Sequence, residues 1–287
     1  MTDEEIEVFE KESMRKMLSR KQELVNPVGP TMEIYSGYRR VDKEEFDKIY
    51  SGVQVPVTNE YLMVGEGVFR ADGSPLSYRK ICGFSAKNQE QMIAFDLLDN
   101  NEIPIKFLYG VAGSGKTKAA LQYGLSKVSL HQFDGLFIVR HPISVGETLG
   151  LYSGNKDEKM KNWINPIIDN LAGGDLTLDT LLREGQLQFD VPGDMQGRDL
   201  KRLFIVIDES QQLSKEQVKM LGSRVSTGSV IVFCGDIDQT FDDRFKGDRN
   251  GLTFVISELR NEPEVGVCHL TQSIRGRVAE LFSSLRT

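Results

Sequence analysis

The chain has 287 residues, of which 39% are hydrophobic and 27% charged, with a formal net charge of −7. That length can bury one substantial core and a small second module, and no stretch approaches the roughly 18 apolar residues that a bilayer-spanning helix requires. The acidic balance argues against a strongly basic nucleic-acid module, while three distant cysteines (Cys82, Cys234, Cys268) and three scattered histidines offer neither a disulfide framework nor zinc spacing.

From the N-terminus, residues 2–22 carry a charged helical pattern, with Thr2 and Glu5 at capping-box spacing and Ile6, Phe9 and Met17 as a thin apolar face. The acidic start is unlike a secretory signal, and cysteines that read as reduced core residues fit a cytoplasmic address. Asn26-Pro27-Val28-Gly29-Pro30 ends the helix and reads as a linker. Residues 33–80 read as a small α/β extension. In it, Tyr61-Leu62-Met63-Val64 and Gly67-Val68-Phe69-Arg70 are short strand candidates, followed by the turn residues Ala71-Asp72-Gly73-Ser74. No chemistry is visible there, and Arg39-Arg40 reads as solvated surface.

From residue 81 the pattern becomes regular. A helix is expected over 89–98. Gln89, at its start, has two readings: a solvent-facing residue, which the sequence favours, or an amide that matches the donor and acceptor on the adenine edge and so selects ATP. Ile105-Lys106-Phe107-Leu108-Tyr109 is a short apolar run that predicts a buried strand. Residues 110–117 then read Gly110-Val111-Ala112-Gly113-Ser114-Gly115-Lys116-Thr117, a complete G-x-x-x-x-G-K-[ST] loop, and the stretch from Lys118 has helical spacing. Strand, glycine loop and helix form the context in which this pattern works. The glycines let consecutive backbone N–H groups curl around phosphate oxygens, and the helix N-terminus adds its positive dipole end. Lys116 is expected to reach the β- and γ-phosphates and the Thr117 hydroxyl to ligate Mg²⁺.

A strand over 135–139 follows, ending at Arg140, which is either a surface residue or a site residue. Residues 140–185 are rich in helix formers around Trp163, a packing anchor. Asn155-Lys156-Asp157-Glu158 imitates a guanine-reading motif, but it ends in glutamate and precedes the acidic strand, the wrong order for a GTPase. After a strand over 186–190, Leu203-Phe204-Ile205-Val206-Ile207-Asp208 is an unbroken apolar strand whose end, Asp208-Glu209, carries two carboxylates. Ligands of open α/β sheets bind beyond such strand ends. Asp208 is expected to hold Mg²⁺ through water, and Glu209 to orient and deprotonate an attacking water. A helix near 215–224 leads to a strand over 229–234, followed by Gly235-Asp236-Ile237-Asp238-Gln239. Gln239 is the candidate sensor of the γ-phosphate, and Asp236 is the weaker one because Gly-Asp is ordinary turn chemistry. Beyond a helix near 250–260 and a strand over 265–269 stands Arg275, either a free helix-start arginine or a cation that neutralises the transferred phosphoryl group. A helix from about 275 closes the chain.

Alternating strands and helices at this spacing predict an α/β fold with one mostly parallel, doubly wound sheet and helices on both faces. With the loop and the acidic strand, that is a RecA-like P-loop NTPase. Three regions are expected: an N-terminal helix and linker (1–32), the small extension (33–80) and the P-loop domain (81–287).

The same segments resemble the PhoH-like ATPases from about residue 60 to the C-terminus. Beyond the loop, the blocks that carry the resemblance include Arg140 with Gly146-Glu147-Thr148-Leu149-Gly150, and Glu158-Lys159-Met160 through Trp163, Pro166 and Asp169-Asn170-Leu171. Met195-Gln196-Gly197-Arg198, Asp208-Glu209-Ser210-Gln211, Gly235-Asp236 with Gln239, and Asn250-Gly251-Leu252 complete the set. The chain is most similar to the ATPase half of proteins in which a PIN nuclease precedes the PhoH domain. The residues before it here lack a PIN domain's spaced acids, so no nuclease activity is implied. The resemblance implies a core similar to superfamily 1 helicases, with Gln89 matching an adenine-reading glutamine and Arg275 the C-terminal arginine. It also implies a ring, commonly a hexamer, in which Arg198 or Arg275 acts on a neighbour's nucleotide. His141-Pro142 and Phe241-Asp242-Asp243 depart from the family pattern and bear on that ring interface.

The expected activity is ATP binding and hydrolysis with Mg²⁺, coupled to RNA or single-stranded nucleic acid, and no membrane partner is expected. No second RecA-like segment exists in the sequence, so unwinding would need oligomerisation. The alternative is a nucleotide-gated interaction module that regulates a partner such as a nuclease with little turnover of its own. A small-molecule kinase is disfavoured because no lid or acceptor site stands out.

Overall fold

The computed structural model describes residues 35–51, 59–77, 80–81, 83–140, 180–195, 197, 199–240 and 250–276. The helix expected over 2–22, most of 140–185, the departures at 141–142 and 241–243, and Cys82 and Arg198 lie outside them.

Six apolar runs form one parallel sheet. They are β6 (Ile105–Gly110), β7 (Gly135–Arg140), β8 (Leu187–Asp190), β9 (Leu203–Asp208), β10 (Val230–Gly235) and β11 (Val265–Leu270), in the order β11-β6-β10-β9-β7-β8. The strand β10 is inserted between the glycine-loop strand β6 and the acidic strand β9, the order expected of a RecA-like P-loop fold. In register, Phe233 of β10 lies beside both Phe107 and Ile207, so the C-terminal ends of all three strands reach one edge together. A parallel sheet needs cover on both faces, and the period of two in each strand divides the core accordingly. Leu108, Phe204, Val206, Val232 and Cys234 face one layer with α2 (Gln89–Asp99) and α3 (Lys116–Ser129). Phe107, Ile205, Ile207, Ile231 and Phe233 face the other, with α4 (Lys215–Gly222) and α5 (Gly251–Leu259). Each such side chain contributes about 1.5–3 kcal/mol by leaving water.

Lys106, pointing off β6, is fully buried, and among the described residues its tip meets carbonyls rather than a carboxylate. Its Nζ donates to the carbonyls of Leu97 at 2.6 Å, Leu98 at 3.1 Å and Asn100 at 2.6 Å. The lysine therefore closes the C-terminus of α2, where free carbonyls and the negative dipole end favour a cation.

The extension forms its own sheet, β1 (Tyr38–Arg40), β2 (Tyr61–Val64) and β3 (Gly67–Arg70), with the helix α1 (Lys43–Tyr50) against it. Two-residue strands β4 (Lys80–Ile81) and β5 (Phe84–Ser85) lead into α2. The extension shares the main core, because Tyr61, Met63 and Val68 pack in the same cluster as α2. The Ser36 carbonyl accepts the His269 amide at 2.9 Å, and the Asn59 side chain donates to Pro263 and Val265 carbonyls at 2.9 and 2.7 Å, so β11 is tied down along its length. Arg39 pairs with Glu45 and Glu60 inside the extension.

One ion pair fastens the extension to α2. The Arg70 guanidinium forks onto buried Asp96, with Nε donating at 2.8 Å, and the Tyr61 hydroxyl adds a donor at 3.1 Å. Arg70→Ala should lower unfolding free energy by about 1–3 kcal/mol in urea titrations. That is below the cost of breaking a fully buried pair, because the Arg70 side chain is 31% exposed. A change within about 0.5 kcal/mol, typical of a neutral surface substitution, would show that docking does not depend on this pair.

Arg275 and Gly276, expected to open a closing helix, are irregular here. Among the described residues no helix is long and apolar enough to cross a membrane. Cys234 and Cys268 are buried free thiols.

Candidate functional site

The strand ends of β6, β10, β9 and β7 open into a cleft of about 580 Å³. On one side is the loop of residues 110–117. Gly110 and Gly113 have φ of +129° and +76°, and a Cβ at Gly110 would lie 2.0 Å from the Leu270 carbonyl oxygen. No other residue could carry the chain there. The Lys116 Nζ donates to the carbonyls of Gly110 at 2.6 Å and Val111 at 2.8 Å, and to the Ser114 hydroxyl at 3.3 Å. Burial lowers the Lys116 pKa, against the pull of Asp236, Glu209 and Asp208. The ammonium is thus held over the loop by short backbone contacts and by a carboxylate field.

On the other side stands the end of β9. The Thr117 hydroxyl donates to Asp208 Oδ1 at 2.7 Å, joining the first turn of α3 to the acidic strand. Arg140 lies opposite Asp208 in the β7–β9 register. Its guanidinium is 3.4 Å from Asp208 Oδ2 and 3.6 Å from Glu209 Oε1. Glu209 itself takes the left-handed conformation, with φ 52° and ψ 41°. A non-glycine residue there is strained, and such strain persists only where surroundings over-determine it. Those surroundings are visible. Buried Gln211 donates to Glu209 Oε2 at 2.7 Å and accepts the Asp236 amide at 3.1 Å, while its own carbonyl accepts from Asn250 at 2.8 Å. Ser210 and Gln212 donate to the Cys234 and Gln239 carbonyls at 2.9 and 2.7 Å, so the turn Ser210–Gln212 is stitched along the exit of β10. Burial raises the Asp236 pKa, with Lys116 opposing.

The sequence pattern of the PhoH family, described as "PhoH-like protein", matches residues 84–285. The chain belongs to that family. Protein PhoH2 of Bacillus subtilis is 31% identical over 285 aligned residues, covering 88% of this chain and 64% of the relative. Protein PhoH2 of Mycolicibacterium smegmatis is 31% identical over 211 residues, covering 72% of this chain and 48% of the relative. This PhoH-like chain therefore spans about half to two-thirds of the length of the curated relatives it matches. Among solved structures, a Pif1 helicase from Candida albicans superposes with a TM-score of 0.34 at 16% identity, covering 69% of this chain and 42% of that one. That likeness is too remote to argue from.

In this PhoH-like structure, Ala112, Gly113, Gly115, Lys116, Thr117, Asp208, Glu209, Gln239 and Arg275 all border the cleft. Gly110, Val111 and Ser114 complete the loop through their backbone. Gln89 is placed elsewhere. Its amide donates to the Gly65 carbonyl at 2.8 Å and accepts from Arg40 at 3.3 Å, so it serves the extension rather than the cleft. The physical reason is helix register. Asn88 caps α2 by accepting the Gln91 amide at 2.8 Å, which puts Gln91, two positions on, toward the loop. Gln91 donates to the Ser114 carbonyl at 2.9 Å and accepts the Lys87 amide at 2.8 Å. The cap-to-third-residue spacing Asn88-x-x-Gln91 was the available signal. Gln211 stands in the block Asp208-Glu209-Ser210-Gln211 but has no role assigned from sequence, because its partners Asp236 and Asn250 are distant in the chain. Arg140, with two open readings in the sequence, joins the site.

The residues present suit a nucleotide with Mg²⁺. At Gly110 and Gly113 the backbone cradle has no room for a Cβ, an ammonium lies over it, and the paired Thr117 hydroxyl and Asp208 carboxylate are hard oxygen donors of the kind Mg²⁺ takes.

Proposed function

We propose that this chain binds ATP with Mg²⁺ and hydrolyses it. The observation that carries the reading is the meeting of Lys116, Thr117, Asp208 and Glu209 in one cleft. Thr117 and Asp208 would hold Mg²⁺, which when bound neutralises charge on the phosphates. The loop amides and Lys116 bind and orient the β- and γ-phosphates. Glu209, strained and held by Gln211, accepts a proton from the water whose oxygen bonds the γ-phosphorus, while the bridging oxygen leaves with its electron pair on ADP. Gln239, at the exit of β10, reports the γ-phosphate, and Arg275 stabilises the charge on the phosphoryl group in flight. Hydrolysis is coupled to RNA or single-stranded nucleic acid in a homo-oligomeric ring of six, the state that the family resemblance favours, in the cytoplasm.

Phosphate release measured with and without RNA, alongside the mass of the assembly, tests this. The expected result is turnover that vanishes on Mg²⁺ removal, rises at least severalfold with RNA, and comes from a species about six chains in mass. Mg·ATP that calorimetry finds unbound by folded protein would overturn the ATPase reading. Turnover indifferent to RNA would remove the coupling alone and return the nucleotide-gated module.

A further inference from the structure

Three consecutive side chains at the start of α2 reach three different parts of the molecule, as the 100° step of a helix dictates. Gln89 bonds the β2–β3 turn and Gln91 bonds the phosphate loop. Between them Glu90 is 2% exposed. Its carboxylate accepts the Thr271 amide at 2.7 Å, the Thr271 hydroxyl at 2.6 Å and the Tyr38 hydroxyl at 3.0 Å. A buried carboxylate is costly unless donors surround it, and here three do.

Thr271 is the first residue beyond β11, and from it a strap of irregular chain, 271–276, runs onto the phosphate loop. The Ile274 amide donates to the Gly113 carbonyl at 3.0 Å. A Cβ on Gly113 would stand 2.8 Å from both Arg275 Cδ and Ser273 Oγ. Ile274 and Arg275 border the cleft, whereas Glu90 does not. Among the described residues, with no ladder or helix to hold it, the strap owes its course to a few contacts: Thr271 on Glu90, Gln272 accepting from Asn88 at 3.3 Å, and Ile274 on the loop. The first of these involves a carboxylate, the stronger class of hydrogen-bond acceptor.

We infer that Glu90 is a positioning residue for Arg275: its carboxylate latches Thr271, so that the strap lies on the phosphate loop with Arg275 at the cleft. The extension takes part, because Tyr38 of β1 supplies the third donor. This rests on the ATPase reading and gives residues 35–70 a place in it. The extension is then part of the catalytic unit rather than an appendage to it.

The full chain is compared as wild type, Glu90→Gln, Thr271→Val, Arg275→Ala and the Glu90→Gln/Arg275→Ala double variant. Glu90→Gln should lower kcat by about tenfold or more, the loss of a charge-assisted hydrogen bond, with KM for Mg·ATP within about threefold. Thr271→Val, which removes one hydroxyl only, should move kcat in the same direction by less. The double variant should be no slower than Arg275→Ala alone, since two residues acting through one contact are not additive. Without nucleotide, hydrogen exchange at the Thr271 amide should accelerate about tenfold or more in Glu90→Gln, with β6 amides unchanged. Losses that multiply in the double variant, unchanged Thr271 exchange, or acceleration at all core amides together would each overturn the latch. Wild-type turnover in Arg275→Ala would remove the Arg275 assignment and with it the positioning role of Glu90, while leaving the ATPase reading in place.

Discussion

Glu209→Gln should lower kcat for ATP hydrolysis by about 10²–10⁴-fold, the range for loss of a positioned general base, while the Kd for Mg·ATP stays within about threefold. Glutamine has the same shape as glutamate, and its amide oxygen can still accept from Gln211 Nε2, which is 2.7 Å from Glu209 Oε2. The left-handed backbone at residue 209 is equally strained for either residue. The substitution therefore spares the turn Ser210–Gln212 and its stitches to β10, and removes the carboxylate charge, with its pull on Arg140 3.6 Å away and its ability to take a proton. Single-turnover phosphate release and equilibrium binding of a fluorescent ATP analogue separate the two effects. A variant that binds and turns over as wild type would discard Glu209 as the base. The role would then pass to Asp236, a carboxylate that borders the cleft at the exit of β10 and whose pKa burial raises, since Asp208 is engaged by Thr117.

The assignment of Glu209 could be made from sequence because everything it needs is local. An apolar strand buried on both faces announces itself by composition, and Asp208-Glu209 follows it directly. The same holds for the loop, whose glycines and lysine are contiguous. What could not be read depends on which elements meet. Arg140 faces Asp208 only because β7 pairs with β9 in a register that brings the two opposite each other. The extension showed no chemistry because its partners are distant in sequence: Tyr38 and Glu90 are 52 residues apart, and Arg70 and Asp96 are 26 apart. Gln89 and Gln91 lie on one helix and share a residue type, so only the position of the cap tells which of them turns toward the loop. The spacing Asn88-x-x-Gln91 marks that cap and turns Gln91, not Gln89, toward the loop.

Lys116→Ala should abolish measurable turnover and weaken Mg·ATP binding by at least about 10²-fold, because the ammonium that sits over the loop backbone is gone. Its effect on the nucleotide-free protein should be small. Truncation leaves the Gly110 and Val111 carbonyls without the ammonium that they accept from at 2.6 and 2.8 Å. It also relieves the burial of a charge, the chief cause of the lowered Lys116 pKa. The two changes oppose each other, and unfolding free energy without ligand should shift by no more than about 1 kcal/mol. Ligand separates the proteins. A site that binds only the folded state adds about 2.7 kcal/mol when ligand is 100-fold above its Kd. Urea titrations with and without Mg·ATP should therefore show that gain in wild type and no more than about 0.4 kcal/mol in Lys116→Ala at the same concentration. The Glu209→Gln protein should show the full gain, since it keeps the cradle and loses the carboxylate alone. An equal ligand-dependent gain in Lys116→Ala would mean that the phosphates are held without the ammonium. The loop amides and the Thr117–Asp208 pair would then carry binding, leaving Lys116 to act on the transition state alone.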